Sequence, residues 1–265
     1  MKSASKFKLA GIGLSLLAMG VTAQAGELDQ IKKDGVIRVA IAMGVPMFSF
    51  ANDKMQPEGS DVSTAQMLAK DLGVKLELVP ITNAARVPTI QTGKADIAVA
   101  NLSITPERAK VIDFSMPYAS LQIIVAAPKE LKISSYKDLK GVSIGVTRAT
   151  VNDVDITKNA SDANIRRYED DATLVVSATS GQVQAVSSQW PNVAEINKKL
   201  TKDPYETKFV QHEFMLGIAL PQNNPKLKAW LNDWIHTNLK NGRLNDAYKK
   251  YHGNDLSPEV LKAGD

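Results

Sequence analysis

Apolar residues along this chain switch repeatedly between a two-residue and a three-to-four-residue period, the signal of strands alternating with helices. After the turn signal Asp34-Gly35, Val36 to Ile41 is a β-rich run. From Asp61 to Leu72 the residues Val62, Ala65, Leu68, Ala69 and Leu72 fall at helical spacing, and Gly73 follows as a stop. Val74 to Val79 returns as a strand, with Leu76 and Leu78 on one face. Val87 to Thr92 reads as a short helix ended by Gly93, and Ala95 to Ala100 as a buried strand. This strand–helix–strand rhythm predicts a mostly parallel sheet covered by helices.

The rhythm then repeats. Gln122 to Ala127 and Gly141 to Val146 read as strands, Thr150 to Lys158 as a helix, and Asn164 to Tyr168 as a strand. Asp170 or Asp171 is expected to cap a helix running to about Thr179. Gly181 and a strand from Val183 to Ser187 follow. The pattern predicts two α/β units of about one hundred residues each rather than one long sheet. Helices close the chain. Asn224-Pro225 opens one whose wide apolar stripe carries Leu227, Trp230, Leu231, Trp234, Ile235 and Leu239, and Asn241-Gly242 stops it. Arg243 to Tyr251 forms another. Those tryptophans read as core packing.

Charge and composition remove several function classes. Lys2, Lys6 and Lys8 precede an apolar run from Leu9 to Val21, and Ala23-Gln24-Ala25 supplies the small-x-small pattern of a signal-peptidase site. Residues 1–25 are therefore expected to be a cleaved signal peptide, with the mature chain starting at Gly26 in the periplasm. Without those lysines the formal charge falls from +4 to +1, so no clustered basic footprint for nucleic acid remains. The chain has no cysteine, and His212, His236 and His252 show no metal-ligand spacing, so neither metal nor cofactor is expected.

One stretch is dense with motifs: Arg86-Val87-Pro88, Gly93-Lys94-Ala95-Asp96, the run from Asn101 to Arg108, Asp113-Phe114-Ser115 and Pro117-Tyr118. Asp138-Leu139-Lys140-Gly141, Ile144-Gly145-Val146 and the run from Ser180 to Val186 follow in order. Together they resemble the amino-acid-type, family 3 solute-binding proteins of ABC importers, over essentially the whole mature chain. The resemblance implies an α/β, two-lobed periplasmic binding protein fold of type II, with the ligand in the interlobe cleft. Lobe 1 would comprise residues 26–119 plus 213–265, and lobe 2 residues 120–212. The lobes would close about the connecting strands when ligand binds.

The same resemblance assigns candidate ligand-binding residues. Arg108 would grip a carboxylate with its planar fork, which lysine cannot do. Ser103 would add a hydroxyl and a backbone N–H, and Asn101 an amide. Arg86 either faces the ligand or pairs with a carboxylate such as Asp96. Thr147, Arg148 and Thr150 sit on a turn suited to an anion, Arg148 at its rim. The departures are informative too. The family's aromatic lid position falls on Val45, and Phe48 reads as core. Val151 stands where the family has threonine. Gln189 stands where a carboxylate holds the ligand's ammonium, and Gln184 replaces another acid. A glutamine accepts a hydrogen bond but neutralises no charge. The cleft is thus expected to keep its anion grip and to prefer a net-negative ligand, unless Glu169, Asp170 or Asp171 reaches an amine. Those three read mainly as helix-capping residues.

The expected function is extracytoplasmic capture of an amino acid or related small organic anion, by a monomer that delivers it to the membrane permease of an ABC importer. Two alternatives stand beside it. A dehydratase-like enzyme of the same fold needs a general acid, and the obvious position holds Gln189. A sensory component would present its ligand to a separate sensor.

Overall fold

The computed structural model describes residues 27–264, so the signal-peptide reading of residues 1–25 lies outside the described residues. In chain order the elements are α1 (Glu27–Asp34), β1 (Val36–Ala42), β2 (Phe50–Ala51), β3 (Pro57–Glu58), α2 (Ser60–Leu72), β4 (Lys75–Ile81), α3 (Arg86–Gln91), β5 (Ile97–Ala98), α4 (Pro106–Ala109) and β6 (Asp113–Pro128). Then come β7 (Ser143–Thr147), α5 (Val151–Asn159), β8 (Asn164–Tyr168), α6 (Asp171–Thr179), β9 (Ala185–Gln189), α7 (Trp190–Lys199), β10 (Tyr205–Leu220), α8 (Pro225–Lys240), α9 (Arg243–His252) and α10 (Pro258–Leu261).

Eight strands form one hydrogen-bonded sheet in the order β4-β1-β5-β10-β6-β9-β7-β8. This corrects the expectation of separate sheets. The two 16-residue strands β6 and β10 pair antiparallel at its centre and are hydrogen-bonded to both halves. Ala219 of β10 faces Ala98 of β5, while Ile123 to Ala126 of β6 face Gln189 to Val186 of β9. The ladder is continuous, but the apolar cores are not. Ile37, Val39, Ile41, Leu68, Ile97, Leu231 and Ile235 belong to one core. Along β6 the side chains alternate faces, as the two-residue period requires. Ile124 and Ala126 join Leu174, Val186 and Val193 beneath α6 and α7. Val125 and Ala127 join Leu139, Ile144 and Ile156 on the opposite face. The structure is a two-lobed α/β fold. Among the described residues no helix is long and apolar enough to cross a membrane.

Local chemistry fixes the elements that matter for the site. Gly73 ends α2 at φ 76°, and its N–H reaches the carbonyls of Ala69 and Lys70. At the other end Gly59 has φ 131°, and a Cβ there would lie 2.2 Å from the Phe48 carbonyl oxygen. Glycine therefore lets α2 start directly against the 47–49 backbone, where the Asp61 N–H donates to Phe48. Trp234 is buried and Trp230 packs beside it on the core of the first half.

Candidate functional site

Parallel strands pool the loops at their carboxyl ends, which is where open α/β sheets form their crevices. Here two parallel sets face each other across β6 and β10. Beyond β4, Ile81 leads to Asn83 and to Arg86 at the start of α3. Beyond β5 lie Asn101 and Ser103. From the other half, Thr147 ends β7, Tyr168 ends β8 and Gln189 ends β9, so α5, α6 and α7 all begin at the same place. The cavity between the two sets is lined by Arg86, Asn101, Ser103 and Arg108 on one side. Thr147, Thr150, Val151 and Gln189 line the other. Asn83, Leu121, Asn152, Asp171, Ser187, Ser188 and Asn192 complete it.

Arg86 is 4% exposed. It donates to the carbonyls of Asn83 (2.9 Å), Asn101 (2.7 Å) and Ala100 (3.3 Å), and to that of Ala149 across the cavity at 3.4 Å. Arg108 donates to the Ser103 carbonyl at 2.8 Å and to the same Ala149 carbonyl at 3.2 Å. Ala149 is held at φ 57°. Two guanidinium groups thus converge on one acceptor, and neither makes an ion pair within 4 Å among the described residues. Burial pushes Arg86 down to about 9, helped by the neighbouring charge of Arg108, and burial pushes Arg108 down to about 10. Both values lie above neutrality, so both groups stay cationic at pH 7. A third contact crosses the cavity, from Asn101 Nδ2 to Gln189 Oε1 at 3.0 Å. Asn101 itself sits at φ 47°, fastened by its N–H to Asp61 Oδ2 at 2.7 Å. Asp61, which also accepts from the Tyr118 hydroxyl, is pushed up to about 7 by burial.

Eight of the nine residues singled out in the sequence line this cavity. Val45 does not. Its backbone pairs both ways with Ser49, at 2.9 Å each, and places the side chain in the core at 1% exposure. Arg86 does not pair with Asp96, which is taken by Arg38. Arg148 stays outside the cavity in an ion pair with Glu169 at 2.6 Å. The acids of the 169–171 run therefore separate. Glu169 is exposed, Asp170 caps α6 by accepting from the Thr173 N–H at 2.7 Å, and Asp171 turns inward. The sequence left the cap of α6 to Asp170 or Asp171, and the structure gives it to Asp170.

Asp171 is 5% exposed and accepts from the Thr147 hydroxyl at 2.5 Å. Burial pushes its pKa up, and Thr147, the charge of Arg86 and the amides of Asn192 and Asn83 oppose that rise. Asn192 and Asn152 went unnoticed in the sequence because nothing in a helix pattern marks an inward amide. The doubled Asp170-Asp171 was a signal, since only one of two adjacent acids can sit at the N-cap. A second cavity of about 400 Å³ adjoins the first and shares Leu121 and Gln189 with it. Met47, Phe48, Trp190 and Pro191 are among its walls.

Residues 37–254 match the family described as bacterial extracellular solute-binding proteins, family 3. The L-cystine-binding protein TcyJ of Escherichia coli (strain K12) is 29% identical over 265 residues, covering 94% of this chain and 99% of that protein. A crystal structure described as the ancestral amino acid-binding protein that was a precursor of cyclohexadienyl dehydratase is 33% identical. It has a TM-score of 0.78 and covers 84% of this chain and 98% of its own. The structure of a solute receptor for L-cysteine of Neisseria gonorrhoeae has the same TM-score at 29% identity, covering 88% and 98%.

Proposed function

The chain belongs to the bacterial extracellular solute-binding proteins, family 3, and we propose that the cavity between Arg86, Arg108 and Ala149 is where it holds the carboxylate of its solute. Its function is that of its relatives: it is an amino-acid-type solute-binding protein of an ABC importer, acting outside the cytoplasm, and not an enzyme. Similarity to named binding proteins, such as the L-cystine-binding protein TcyJ and the glutamine-binding protein GlnH, favours this reading over the dehydratase alternative.

One observation carries the assignment of the site. Two charged guanidinium groups, Arg86 buried and Arg108 half-buried, point at one acceptor, the Ala149 carbonyl, and among the described residues neither has a carboxylate within ion-pair distance. A carboxylate at that point would receive charge-assisted hydrogen bonds from both, each stronger than the contact to a neutral carbonyl. The starts of α5, α6 and α7 add partial positive charge from the other side. Arg86, Arg108 and Asn101 each bond directly to the opposite side of the cavity, so those contacts must part to admit an amino acid. The larger adjoining cavity offers space for a side chain beyond Gln189.

On this reading the moving bodies are residues 26–119 with 213–265, and residues 120–212. Ser103, Asn101, Thr147, Thr150, Val151 and Gln189 are the remaining contacts. The protein acts as a periplasmic monomer after removal of residues 1–25 and docks on a membrane permease.

The test is Arg108→Ala. Hydrogen bonds to charged groups contribute about 1.5–3 kcal/mol each. Losing this donor pair should weaken binding of the best solute in a titration-calorimetry panel of L-amino acids by at least roughly tenfold to a hundredfold. Arg108→Lys should recover little, because a point charge cannot reproduce the fork. Wild-type affinity in Arg108→Ala would place the carboxylate elsewhere.

A further inference from the structure

Arg86 and Arg108 account for an anionic group, yet three other features of the same cavity suit a cation. Asp171 is a buried carboxylate in its wall. Its neighbour Asn192 is fully buried, donates its Nδ2 to the Ser188 hydroxyl at 2.7 Å, and leaves its Oδ1 without any partner. Asn101 does the same: Nδ2 goes to Gln189, and Oδ1 is buried and unpartnered. Gln189 Oε1 is already taken by that Asn101 amide. Among the described residues only two other buried side-chain atoms lack a partner, and those belong to Asn238 and Ser257, outside the cavity.

Buried acceptors without donors are rare, because each forfeits a hydrogen bond it had in water. Two in one small cavity, beside a carboxylate, call for a group that only donates. An alkylammonium is such a group, with three donors and no acceptor. Asp171 retains capacity for it. An ionised carboxylate offers about four acceptor sites, and Thr147, Asn192 and Asn83 are the neutral groups that engage it.

We propose that Asp171, with the amide oxygens of Asn192 and Asn101, forms the ammonium subsite of this cleft, and that Gln189 does not. The selected solute is then an α-amino acid in its zwitterionic form. This reverses the preference for net-negative ligands expected from Gln189. It rests on the reading of Arg108 as the carboxylate grip, since the two subsites must lie an amino acid's width apart. The discrimination has two sources. An α-amino acid places its ammonium where Asp171 and the orphaned oxygens receive it. An acid lacking the amine leaves Asp171 buried beside a second negative charge, which disfavours binding.

The experiment compares L-amino acids with the carboxylic acids that lack only the α-amino group, by thermal shift and then calorimetry, on wild type, Asp171→Asn, Gln189→Leu and Arg108→Ala. Wild type should bind at least one amino acid roughly tenfold or more tighter than its deaminated analogue. Asp171→Asn should collapse that ratio by weakening the amino acid, with the deaminated acid bound as well or better. Gln189→Leu should keep most of the ratio. If Asp171→Asn does not fold, Asn192→Ser carries the test and should lower the ratio about three- to tenfold. Wild type favouring the deaminated acids, or binding neither set at millimolar concentration, would overturn the proposal. So would Asp171→Asn keeping the wild-type ratio, or Gln189→Leu being the variant that loses it. Arg108→Ala separates the two readings. If it abolishes binding of both sets while Asp171→Asn changes nothing, the carboxylate grip stands and only the ammonium subsite is wrong.

Discussion

The two cavity arginines share a charge and a target but differ in what else they hold. Arg86 fastens three carbonyls of its own half, at Asn83, Ala100 and Asn101, before it reaches Ala149. Arg108 fastens one, at Ser103. Arg86→Ala should therefore lower stability as well as affinity, because it removes the donors that hold three carbonyls of its own half. The expected loss is about 2 kcal/mol or more in urea unfolding. Arg108→Ala should lower affinity with a far smaller change in midpoint. Equal midpoints for the two variants would mean that Arg86 is not a brace. The sequence made both arginines visible, since residue type and motif context identify a carboxylate grip. It left Arg86 divided between ligand and structure, and the geometry gives it carbonyls of its own half to brace and a place in the cavity wall. Asp171 was less legible. Whether an acid at a helix start caps the helix or turns inward depends on a one-residue offset in where the helix begins.

Among the elements, strands and helices with strong periods were read within a residue or two. Asn164–Tyr168 was read to the residue, and α2 differs from its expected span by one. The misses share a cause. Periodicity showed the segment 113–128 only over Gln122 to Ala127, and β10 was expected only through the family resemblance, as the second connecting strand near His212 to Leu216. Both long strands change surroundings midway, so no single alternation runs along them. In β10 the pattern is also interrupted by register shifts, as between Val210 and His212 and between Leu216 and Gly217. One element contact carries a pH prediction. His252, near the end of α9, stacks on Tyr248 at 3.8 Å, meets Phe48 edge-on, and has Nε2 3.1 Å from the Ser60 hydroxyl at the start of α2. Burial pushes its pKa from 6.5 down to about 4. The folded chain thus refuses a proton that the unfolded chain accepts below pH 6.5. The contribution is complete above pH 6.5 and is lost as pH falls towards 4. Asp61, pushed up to about 7, works in the opposite sense, so the quantity to read is the difference between wild type and His252→Gln. Between pH 7 and pH 4.5 the wild type should lose about 1–2 kcal/mol more than the variant, after allowance for the ring's partial exposure. Parallel curves for the two proteins would remove His252 from the acid sensitivity.

At the scale of the molecule, the core of the first half and the core of the second, which is split between the two faces of its sheet, are joined by one continuous ladder, and this arrangement favours bending over sliding. β6 and β10 have hydrogen bonds to both halves, so the halves can rotate about those strands without breaking either core. Direct contacts across the cavity are few: Arg86 and Arg108 to the Ala149 carbonyl, and Asn101 to Gln189. Water can replace each of them, at a net cost of about 0.5–1.5 kcal/mol for the neutral Asn101–Gln189 pair and about 1.5–3 kcal/mol for each guanidinium contact. The sequence reading reached the two-lobed architecture through family resemblance. Periodicity alone gave two α/β units but not the shared sheet, because strand pairing between residues one hundred apart leaves no local trace. An amino acid cannot pass between the two sides unless those few contacts open. The solute must then supply bonds to both sides that outweigh them and hold the halves together. Small-angle scattering should show the radius of gyration falling when the best L-amino acid from the calorimetric panel saturates the wild type. The same titration on Arg108→Ala should leave the profile unchanged, since the carboxylate then has no anchor. Asn101→Ala and Gln189→Leu should each shift the ligand-free protein towards the larger radius, because each removes a cross-cavity bond without removing a guanidinium. A wild-type profile that stays constant at saturation would show that the solute enters by local opening of the 147–151 turn, with the two cores fixed in place.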